Sequence, residues 1–353
     1  MSLYDQDTRA KMDEMAENEK IAAIVRANRP QVTVVGVGGA GCNIVSWVKE
    51  KRGGVVGAKL IAANTDATHL STMKADRRIL LGEKTTRGMG AGGYSEKGAK
   101  AAMESIEAIK KETASSNVIY IAAGLGGGTG TGASNVIASA LKPQGALLIG
   151  VVTLPFAVER FRFNNAKEGL MKLKSQCDTV VVIDNNKLAK IAGDLPLKEA
   201  LGVANELVGD FVKGITETIT TASLINIDFA DLRAIMEKKG IAAIGVGEAS
   251  GENKVEKAVR TALDTQLLDI KDATKAFGVL IHVSGGEDIT LDEVTKAGEM
   301  VTRSLPNKAR VVWGARVDPS LKGKVRVMVV LTGVDSTFAP EKSAVARMTG
   351  SRN

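Results

Sequence analysis

The residues whose types and spacing point most directly to chemistry are a run of glycines and threonines, GLGGGTGTG, at positions 124–132. An apolar run at 118–123 precedes it, and its length and β-branched content predict a buried strand. A helix is predicted next, at 133–141. Glycines let the backbone approach a ligand closely, and the free N–H groups of a helix start point toward an anion. The sequence therefore predicts a phosphate site here, with hydroxyl groups from Thr129 and Thr131.

This site would balance phosphate charge without the lysine of a common phosphate-binding loop. No lysine lies in residues 124–132, and the chain has no G-x-x-x-x-G-K-[ST] spacing. We therefore expect backbone dipoles, a helix end and a metal ion to balance the charge. A flexible glycine linker is the alternative interpretation, but a linker would not be framed by a buried strand and a helix.

Two further glycine segments follow predicted strands. A strand at 31–37 runs into the G-x-G-x-x-G of residues 36–41, and a strand at 77–81 precedes the glycines of residues 87–93. The first motif alone is typical of a dinucleotide site, and the Asn-Thr-Asp that ends the strand at 58–65 keeps that alternative open. A dinucleotide needs one close backbone approach, whereas three glycine loops suit a longer phosphate chain. A nucleoside triphosphate is therefore favoured.

The order of the predicted elements gives the fold class. Strands at 146–153 and 179–183 continue the alternation with helices, which predicts an α/β fold with a doubly wound, mostly parallel sheet and ligands at the carboxyl ends of its strands. A long central helix leads to a second, smaller α/β domain. The last two strands of that domain, 309–317 and 325–333, are expected to be joined by a hairpin-like connection.

Five segments follow from this order. They are an N-terminal helical extension at 1–30, a nucleotide-binding domain at 31–196, the central helix at 197–221, a C-terminal domain at 222–335 and a flexible tail at 336–353.

Composition excludes several function classes. The chain has 353 residues, 44% hydrophobic and 25% charged, which is ordinary for a globular protein. It has no 18-residue apolar run and no signal peptide, so we expect a cytoplasmic protein without direct membrane insertion. The net charge of +7 is spread along the chain and only 3% of residues are aromatic, so nucleic acid is not an expected partner.

The cysteines and histidines are too few to suggest redox or metal chemistry. Cys42 and Cys177 form no CxxC motif, which predicts neither a disulfide framework nor a zinc site. Cys42 follows the first glycine segment, where a helix start could make a thiol reactive, but a small buried residue is the favoured interpretation. His69 and His282 are expected to be surface or hydrogen-bonded residues. No residue is assigned as a metal ligand.

Taken together, these motifs resemble the FtsZ branch of the tubulin superfamily. The resemblance rests on GVGGAGCN, NTD, GAGG, GGGTGTG, TLPF followed by Glu159, and NIDFAD, in that order, and it covers residues 31–335. It implies a GTPase that polymerises head to tail into protofilaments for prokaryotic cell division, acting at the division site. The IDNN run that ends at Asn186 resembles the second archaeal FtsZ group.

The resemblance also implies a nucleotide site, residue by residue. Phosphate contacts are implied for Gly38, Gly39, Ala40, Gly41, Asn64, Asp66, Ala91, Gly92, Gly93, Gly127, Gly128, Thr129, Gly130 and Thr131. Guanine and ribose contacts are implied for Asn43, Asn185 and Asn205, packing on the base for Leu201, and nucleotide contacts of unspecified kind for Glu159 and Arg162. GTP and GDP are the implied ligands, with Mg²⁺ and with K⁺ or Na⁺ as a candidate monovalent ion. The implied partners are further copies of the chain, a paralogous FtsZ and a membrane-tethering adaptor.

Asp228 and Asp231 have two interpretations. From the residues alone, two carboxylates three positions apart at a helix start are typical of capping. The resemblance instead implies that they enter the nucleotide pocket of the neighbouring subunit and polarise the attacking water. Because the pair follows the long helix, on the far side from the glycine loops, it would reach a phosphate only in another molecule.

Some positions depart from the family pattern. Asp184 stands where FtsZ usually has proline before the ribose asparagine. Phe163 occupies the position of the family's arginine after Glu159, which leaves Arg160 and Arg162 as competing candidates. Two other functions stay open at this point, a dinucleotide-dependent oxidoreductase and a nucleotide-binding scaffold that assembles without hydrolysis or needs a paralogous partner.

Overall fold

The computed structural model describes residues 29–335, with gaps at 52, 193, 221–224, 226, 239, 265–275, 304 and 306–307. The predicted N-terminal extension up to residue 28 and the tail from residue 336 lie outside the described residues. At 190–192, 197, 198, 200 and 201 only the backbone is described. No helix among the described residues is long and apolar enough to cross a membrane.

In the part of the chain that the structure describes, ten strands form one sheet in the order β3-β2-β1-β4-β5-β6-β7-β10-β8-β9. The strands are β1 (Val32–Val37), β2 (Ala58–Asn64), β3 (Arg77–Leu80), β4 (Val118–Gly124), β5 (Leu147–Leu154), β6 (Thr179–Asp184), β7 (Gly240–Ser250), β8 (Gly278–Gly285), β9 (Arg310–Val317) and β10 (Lys324–Thr332).

Twelve α-helices are described around this sheet. They are α1 (Gly38–Lys51), α2 (Ala67–Thr72), α3 (Glu83–Thr86), α4 (Ser95–Glu104), α5 (Ile106–Thr113), α6 (Gly128–Leu141), α7 (Arg160–Gln176), α8 (Asn185–Ala192), α9 (Leu197–Thr220), α10 (Phe229–Met236), α11 (Lys254–Asp264) and α12 (Leu291–Arg303).

The first six strands are parallel and buried between two layers of helices. Every residue of β1, β5 and β6 is buried, as expected for a sheet covered on both faces. Side chains of β1 alternate between the two cores, so Val35 and Val37 pack with α6 and α7 while Val32 and Val34 pack with α1 and α9. The predicted fold class is confirmed.

The second half of the chain continues the same sheet. β6 and β7 are paired in parallel over three residue pairs, from Thr179 with Gly240 to Val181 with Ala242. Beyond them β10 is antiparallel to both β7 and β8, and β8 is parallel to β9. The smaller α/β unit therefore shares one continuous sheet with the nucleotide-binding unit.

The expected hairpin between the last two strands is wrong. β10 lies between β7 and β8, whereas β9 forms the outer edge beside β8. Burial explains the difference, because β10 is apolar on both faces and almost wholly buried, while most residues of β9 are at least partly exposed. A strand that is buried on both faces takes a central place in a sheet, and a half-exposed strand takes an edge.

The sequence after the third glycine segment predicts a single helix over 95–112, but the structure has two, α4 and α5. α4 ends at Glu104, and Ser105 leaves the helical conformation with φ −107° and ψ 10°. Its hydroxyl accepts a hydrogen bond from the N–H of Gly82 at 3.0 Å and donates to the carbonyl of Leu80 at 3.3 Å. These tertiary hydrogen bonds, which the local pattern does not encode, interrupt the helix.

The long helix α9 runs along the strands, from the carboxyl ends of the parallel strands to their amino ends. Its 24 residues span about 36 Å. It starts beyond the carboxyl end of β6, and at its other end the hydroxyl of Thr220 donates to the carbonyl of Val56, just before β2, at 3.0 Å. Phe211 packs edge to face on Tyr120 of β4, with ring centroids 6.0 Å apart. α9 is therefore anchored to the sheet along its length.

We predict that Gly209→Ala destabilises this anchor. A Cβ at Gly209 would lie 2.6 Å from the Trp47 ring and 2.9 Å from Val48, so the overpacked contact should cost about 1–3 kcal/mol of unfolding free energy. Gly202→Ala is the matched control in the same helix, because a Cβ there meets nothing within 4 Å; alanine should leave stability equal or raise it by up to about 1 kcal/mol. Thermal unfolding of nucleotide-free protein measures both, and equal effects would contradict the packing argument.

Candidate functional site

The predicted glycine loops meet in one cleft at the carboxyl ends of the parallel strands. The cleft has a volume of about 390 Å³. Its walls come from the start of α1, the loop before α4, the β4–α6 loop, the end of β5, the start of α7 and the start of α8. The residues lining it are Gly39, Ala40, Gly93, Gly124, Leu125, Gly127, Gly128, Thr129, Gly130, Thr153, Pro155, Glu159, Arg162 and Asn185.

Some of these glycines are required because backbone packs against backbone. A Cβ at Gly130 would lie 2.1 Å from the carbonyl oxygen of Gly124, and one at Gly38 would lie 2.8 Å from the nitrogen of Gly130. Gly38 also has a φ of +72°, which favours glycine. A Cβ at Gly128 would lie 2.8 Å from the nitrogen of Tyr94. The three loops therefore support one another directly.

Other glycines face open space inside the cleft. A Cβ at Gly39, Gly93 or Gly127 would meet no atom within 4 Å. Gly93 has a φ of +84°, but Gly127 has φ −81° and ψ 161°, a conformation that any L-residue adopts. Neither packing nor backbone conformation explains glycine at position 127. Room for a ligand that lies against the backbone does explain it.

The electrostatics of the cleft favour an anion. α1, α6 and α7 begin at the cleft, and none of them has an acidic residue in its first turn. Gly127, the residue before α6, supplies no side chain to cap the helix. The first N–H groups of α6 thus keep their positive partial charge for a bound group. A phosphate chain fits this environment.

The two threonines of the β4–α6 loop have different surroundings. Thr129 lines the cleft, and its hydroxyl shares a 2.6 Å hydrogen bond with the buried Thr65 hydroxyl. The Thr131 hydroxyl accepts a hydrogen bond from the N–H of Gly126 at 2.7 Å, and Thr131 lies outside the cleft lining. Thr131 therefore holds the loop in shape, while Thr129 is the threonine of this loop that lines the cleft.

In the loop after β2 and in the loop before α4, the predicted site residues stabilise the backbone. Asp66 caps α2 by accepting from the N–H of His69 at 2.9 Å, and Asn64 is buried and bonded to the His69 ring at 3.2 Å. Ala91 is buried, with its Cβ against Gly128. Gly92 and Gly93 have positive φ values, which let the chain turn toward the cleft.

The asparagines predicted for the base lie on two neighbouring helices, α1 and α9. These helices run in the same direction and touch where Gly209 meets Trp47. Asn43 and Asn205 each lie four residues nearer the cleft, one helical turn along the same faces. Both therefore lie on the parts of the two helices nearer the cleft, although neither is among the residues that line it. The side chain of Leu201 lies outside the described residues, and its backbone is one further turn along α9.

Asp228 and Asp231 lie on the side of the sheet where the parallel strands begin, away from the cleft at their carboxyl ends. Asp228 caps α10 by accepting from the N–H of Ala230 at 3.0 Å, and Asp231 pairs with Arg310 at the start of β9 at 2.8 Å. Arg233 of the same helix donates to the carbonyl of Gly145, shortly before β5, at 2.9 Å. The capping interpretation describes Asp228 within one chain, and neither aspartate reaches the cleft of its own chain.

Comparisons with known proteins agree with this geometry. Residues 31–193 match the tubulin/FtsZ family, GTPase domain, and residues 240–335 match the FtsZ family, C-terminal domain. Cell division protein FtsZ 2 of Methanocaldococcus jannaschii is 47% identical over 309 residues, which cover 87% of this chain and 80% of that protein. The chain belongs to the tubulin/FtsZ family. It is a GTPase, and its ligands are GTP and GDP.

Two further relatives come from the same organism. Its cell division protein FtsZ 1 is 46% identical, over 91% of this chain and 87% of that protein. A solved structure described as an empty FtsZ dimer has a TM-score of 0.84 at 46% identity, covering 90% of this chain and 92% of that chain. Identities of 47% and 46% to FtsZ 2 and FtsZ 1 do not assign the chain to either group, so membership of the second archaeal group stays a prediction. The dinucleotide alternative is set aside, because the matched GTPase domain contains the G-x-G-x-x-G segment.

The departures from the FtsZ pattern have structural explanations. Arg162 lines the cleft and pairs with Glu159 at 2.8 Å, whereas Arg160 is not among the lining residues. Asp184 accepts hydrogen bonds from the backbone N–H and the side chain of Asn186, both at 2.8 Å. That turn leaves Asn185 in the cleft wall with a buried Oδ1 that has no protein partner among the described residues. A ribose hydroxyl is a donor that would satisfy it.

The cysteines and His282 take no part in the cleft. Burial raises the pKa of the Cys42 thiol to about 12, and Cys42 lies within 3.5 Å of the carbonyls of Gly36 and Ala63. Burial also raises the pKa of Cys177, so neither thiol is a reactive thiolate. His282 is buried, its pKa is lowered to about 4 by burial, and it shares a 3.3 Å hydrogen bond with Ser284. The expectation of a buried Cys42 is confirmed.

We predict that Gly127→Ala folds normally and loses nucleotide. The added methyl group would strain no backbone and meet no protein atom, but it would occupy the space where a phosphate approaches the N–H groups, so GTP should bind at least about tenfold more weakly. Gly130→Ala is the contrasting variant and should lose stability, because its Cβ would lie 2.1 Å from a carbonyl oxygen. Thermal unfolding and titration with a fluorescent GTP analogue separate the effects. Unchanged GTP affinity in Gly127→Ala would exclude this cleft as the phosphate site.

Proposed function

We propose that this FtsZ-family protein is a cell-division GTPase that assembles head to tail, with each cleft completed by Asp228 and Asp231 of the next subunit. The observation that carries the proposal is the separation of these groups within one chain. The aspartates follow a helix about 36 Å long and lie at the amino ends of the parallel strands, whereas the cleft lies at the carboxyl ends. Glu159, the carboxylate that lines the cleft, is already paired with Arg162.

The proposal begins with how the cleft holds GTP. Backbone N–H groups at the start of α1 and α6 would bind the phosphates, and the dipoles of these helices would offset part of their charge. The unpartnered Oδ1 of Asn185 would accept from a ribose hydroxyl. The base would lie between α1 and α9, beside Asn43 and Asn205. These groups lie on helices or at strand ends that pack on the sheet, so little reorganisation is needed on binding.

Hydrolysis needs a water aligned with the γ-phosphate on the side away from GDP. A carboxylate that accepts a hydrogen bond from this water orients the lone pair of the water oxygen toward phosphorus. The same carboxylate stabilises the positive charge that develops on the attacking water. The bond between water oxygen and γ-phosphorus forms as the bond to the β,γ-bridging oxygen breaks, which leaves GDP and inorganic phosphate. Asp228 is exposed and Asp231 is partly exposed, so the next subunit can present both at the open side of the cleft.

Mg²⁺ would enter together with the nucleotide. Among the described residues there is no group of three or more His, Cys, Asp or Glu side chains that could hold a metal ion. Mg²⁺ commonly binds phosphate oxygens and keeps several waters, and this donor set fits the cleft, whose wall includes Thr129 and Thr153. Bound there, Mg²⁺ supplies positive charge to the phosphates. A monovalent ion, K⁺ or Na⁺, remains a prediction from the family resemblance.

The rim of the cleft supports assembly with a second copy. Four large apolar side chains around it are 67% to 85% exposed, and they are Met89, Tyr94, Val158 and Phe161. Exposed apolar groups that cluster at one site are typical of a contact surface. Because the rim and the aspartates lie at opposite edges of one chain, their contact would be head to tail and would propagate into a filament.

The relatives extend the proposal to the cell. Both curated relatives are named cell division proteins, and the related solved structure is described as a dimer. We infer that this chain acts in the cytoplasm at the division site, next to a paralogous FtsZ and a membrane-tethering adaptor. The domain boundaries at 31–196, 197–221 and 222–335 form part of the same proposal, as a GTP-binding domain, a central helix and an activation domain.

We predict that two inactive variants restore GTP hydrolysis when they are mixed. Asp228→Asn keeps an oxygen to cap α10 but removes the charge, so turnover should fall at least about a hundredfold while GTP binding is unchanged. Gly127→Ala keeps the aspartates but binds GTP weakly, so at a GTP concentration well below its Kd its own cleft stays empty and it is inactive alone. In an equal mixture, about one interface in four would join an intact cleft to intact aspartates, so phosphate release should recover to a comparable fraction of the wild-type rate.

The mixture has its own control. Asp228→Asn mixed with the double variant that carries both changes should stay inactive, since no interface then holds a complete site. If the single-variant mixture also stays inactive, or if Asp228→Asn alone hydrolyses GTP at the normal rate, the active site is not shared between subunits.

We also predict that turnover per molecule depends on protein concentration. A site that forms between subunits should give almost no hydrolysis below a threshold concentration and a rising rate above it. Steady-state phosphate release, measured with light scattering across a concentration series, tests this. A constant rate per molecule would mean that one chain holds the whole site, and scattering without phosphate release would favour a scaffold that assembles without hydrolysis.

A further inference from the structure

His69 lies between two of the asparagines predicted for the nucleotide site. Its Nδ1 is 3.2 Å from Nδ2 of Asn64, and its Nε2 is 3.1 Å from Oδ1 of Asn43. Asn64 ends β2, Asn43 lies on α1, and His69 lies on α2. The imidazole therefore joins three separate elements at the side of the cleft.

The direction of each hydrogen bond is set by the backbone. The N–H of Thr65 can only donate, and it donates to Oδ1 of Asn64 at 2.8 Å. The other end of that carboxamide, Nδ2, must then be a donor, so Nδ1 of His69 accepts. A neutral imidazole that accepts at Nδ1 carries its proton on Nε2. Nε2 donates to Oδ1 of Asn43, and the polarity of the chain is fixed from end to end.

This polarity determines what Asn43 offers to a ligand. With its Oδ1 held by His69, its NH₂ group is left facing away from the imidazole, and among the described residues nothing accepts from it. Asn43 is exposed and lies one helical turn beyond Gly39 and Ala40, which line the cleft. Asn43 is itself not among the lining residues, and the group that it offers to a ligand beside the cleft is a hydrogen-bond donor, which requires an acceptor on the ligand.

We propose that His69 is a positioning residue for the nucleotide: it holds the carboxamide of Asn43 so that its NH₂ donates to an acceptor atom of the purine or ribose. This inference rests on the proposed nucleotide site, because it needs Asn43 to contact the ligand. Without His69, the Asn43 carboxamide can rotate and present either its oxygen or its NH₂ group to the nucleotide. Fixing it on binding then costs conformational entropy, which lowers the affinity for the nucleotide.

The chain offers a conservative variant that distinguishes positioning from packing. A glutamine at position 69 has an acceptor oxygen and a donor nitrogen, so His69→Gln can repeat both bonds in the same direction. His69→Leu fills similar space and makes neither bond. Ser71→Ala on the same helix is the control, since its hydroxyl bonds only to the carbonyl of Thr68 among the described residues.

The experiment measures GDP affinity by calorimetry with nucleotide-free protein, so that neither assembly nor hydrolysis contributes. Asn43→Ala and His69→Leu should each bind about fivefold to tenfold more weakly, as for the loss of one hydrogen bond. His69→Gln and Ser71→Ala should stay within about twofold of wild type. The double variant Asn43→Ala/His69→Leu should be no weaker than Asn43→Ala, because His69 acts through Asn43. Thermal unfolding checks that each variant is folded.

Different failures have different meanings. Wild-type protein that does not bind GDP would overturn the proposed function itself. Unchanged affinity in Asn43→Ala would remove Asn43 from the site and this inference with it. A weaker Asn43→Ala beside an unchanged His69→Leu, additive losses in the double variant, or a His69→Gln as weak as His69→Leu would each overturn the positioning role and leave the GTP site intact. If His69→Leu does not fold, the same decision rests on His69→Gln, which must retain wild-type affinity.

Discussion

The structure depends on the contact of backbone against backbone where the glycine loops meet. Gly38 and Gly124 pack on Gly130 with no space for a Cβ, and Gly128 packs on the backbone of Tyr94 in the same way. This contact fixes the starts of α1 and α6 side by side. Two helix starts aimed at one place give a concentration of N–H donors that no single loop provides. The anion site of the protein is a consequence of that packing.

A second group of glycines is not packed against other backbone. Gly39 and Gly127 face open space, and neither has a positive φ. Neither packing nor backbone conformation therefore requires glycine at these two positions, and both leave room for a ligand. Separating the two groups matters for mutagenesis, since a change in the first group alters folding and a change in the second alters binding.

The central helix separates the cleft from Asp228 and Asp231, and this separation is the other main feature of the molecule. α9 is anchored on the sheet face by Phe211 and Gly209, and it carries the chain from the cleft edge to the opposite edge. The aspartates that follow are held there by Arg310 and by the start of α10. A stiff helix of about 36 Å cannot fold back on itself, so groups at its two ends meet only through a second copy of the chain.

The sequence by itself determined the local elements and most of the candidate site. Hydrophobic runs of the right length located the strands predicted at 31–37, 118–123, 146–153 and 179–183, because a strand buried on both faces needs a continuous apolar segment. Glycine spacing located the three loops, and the motif set identified the family. The structure places Arg162, one of the two arginines that the sequence left open, in the cleft lining.

Tertiary structure decided what depends on non-local contacts. The place of β10 between β7 and β8 follows from burial on both of its faces, which chain order does not express. The break at Ser105 comes from hydrogen bonds to Gly82 and Leu80. The bridge from Asn64 through His69 to Asn43 joins three elements and appears only when they pack. Local patterns encode which element forms, whereas partners distant in the chain decide its neighbours and the direction of its hydrogen bonds.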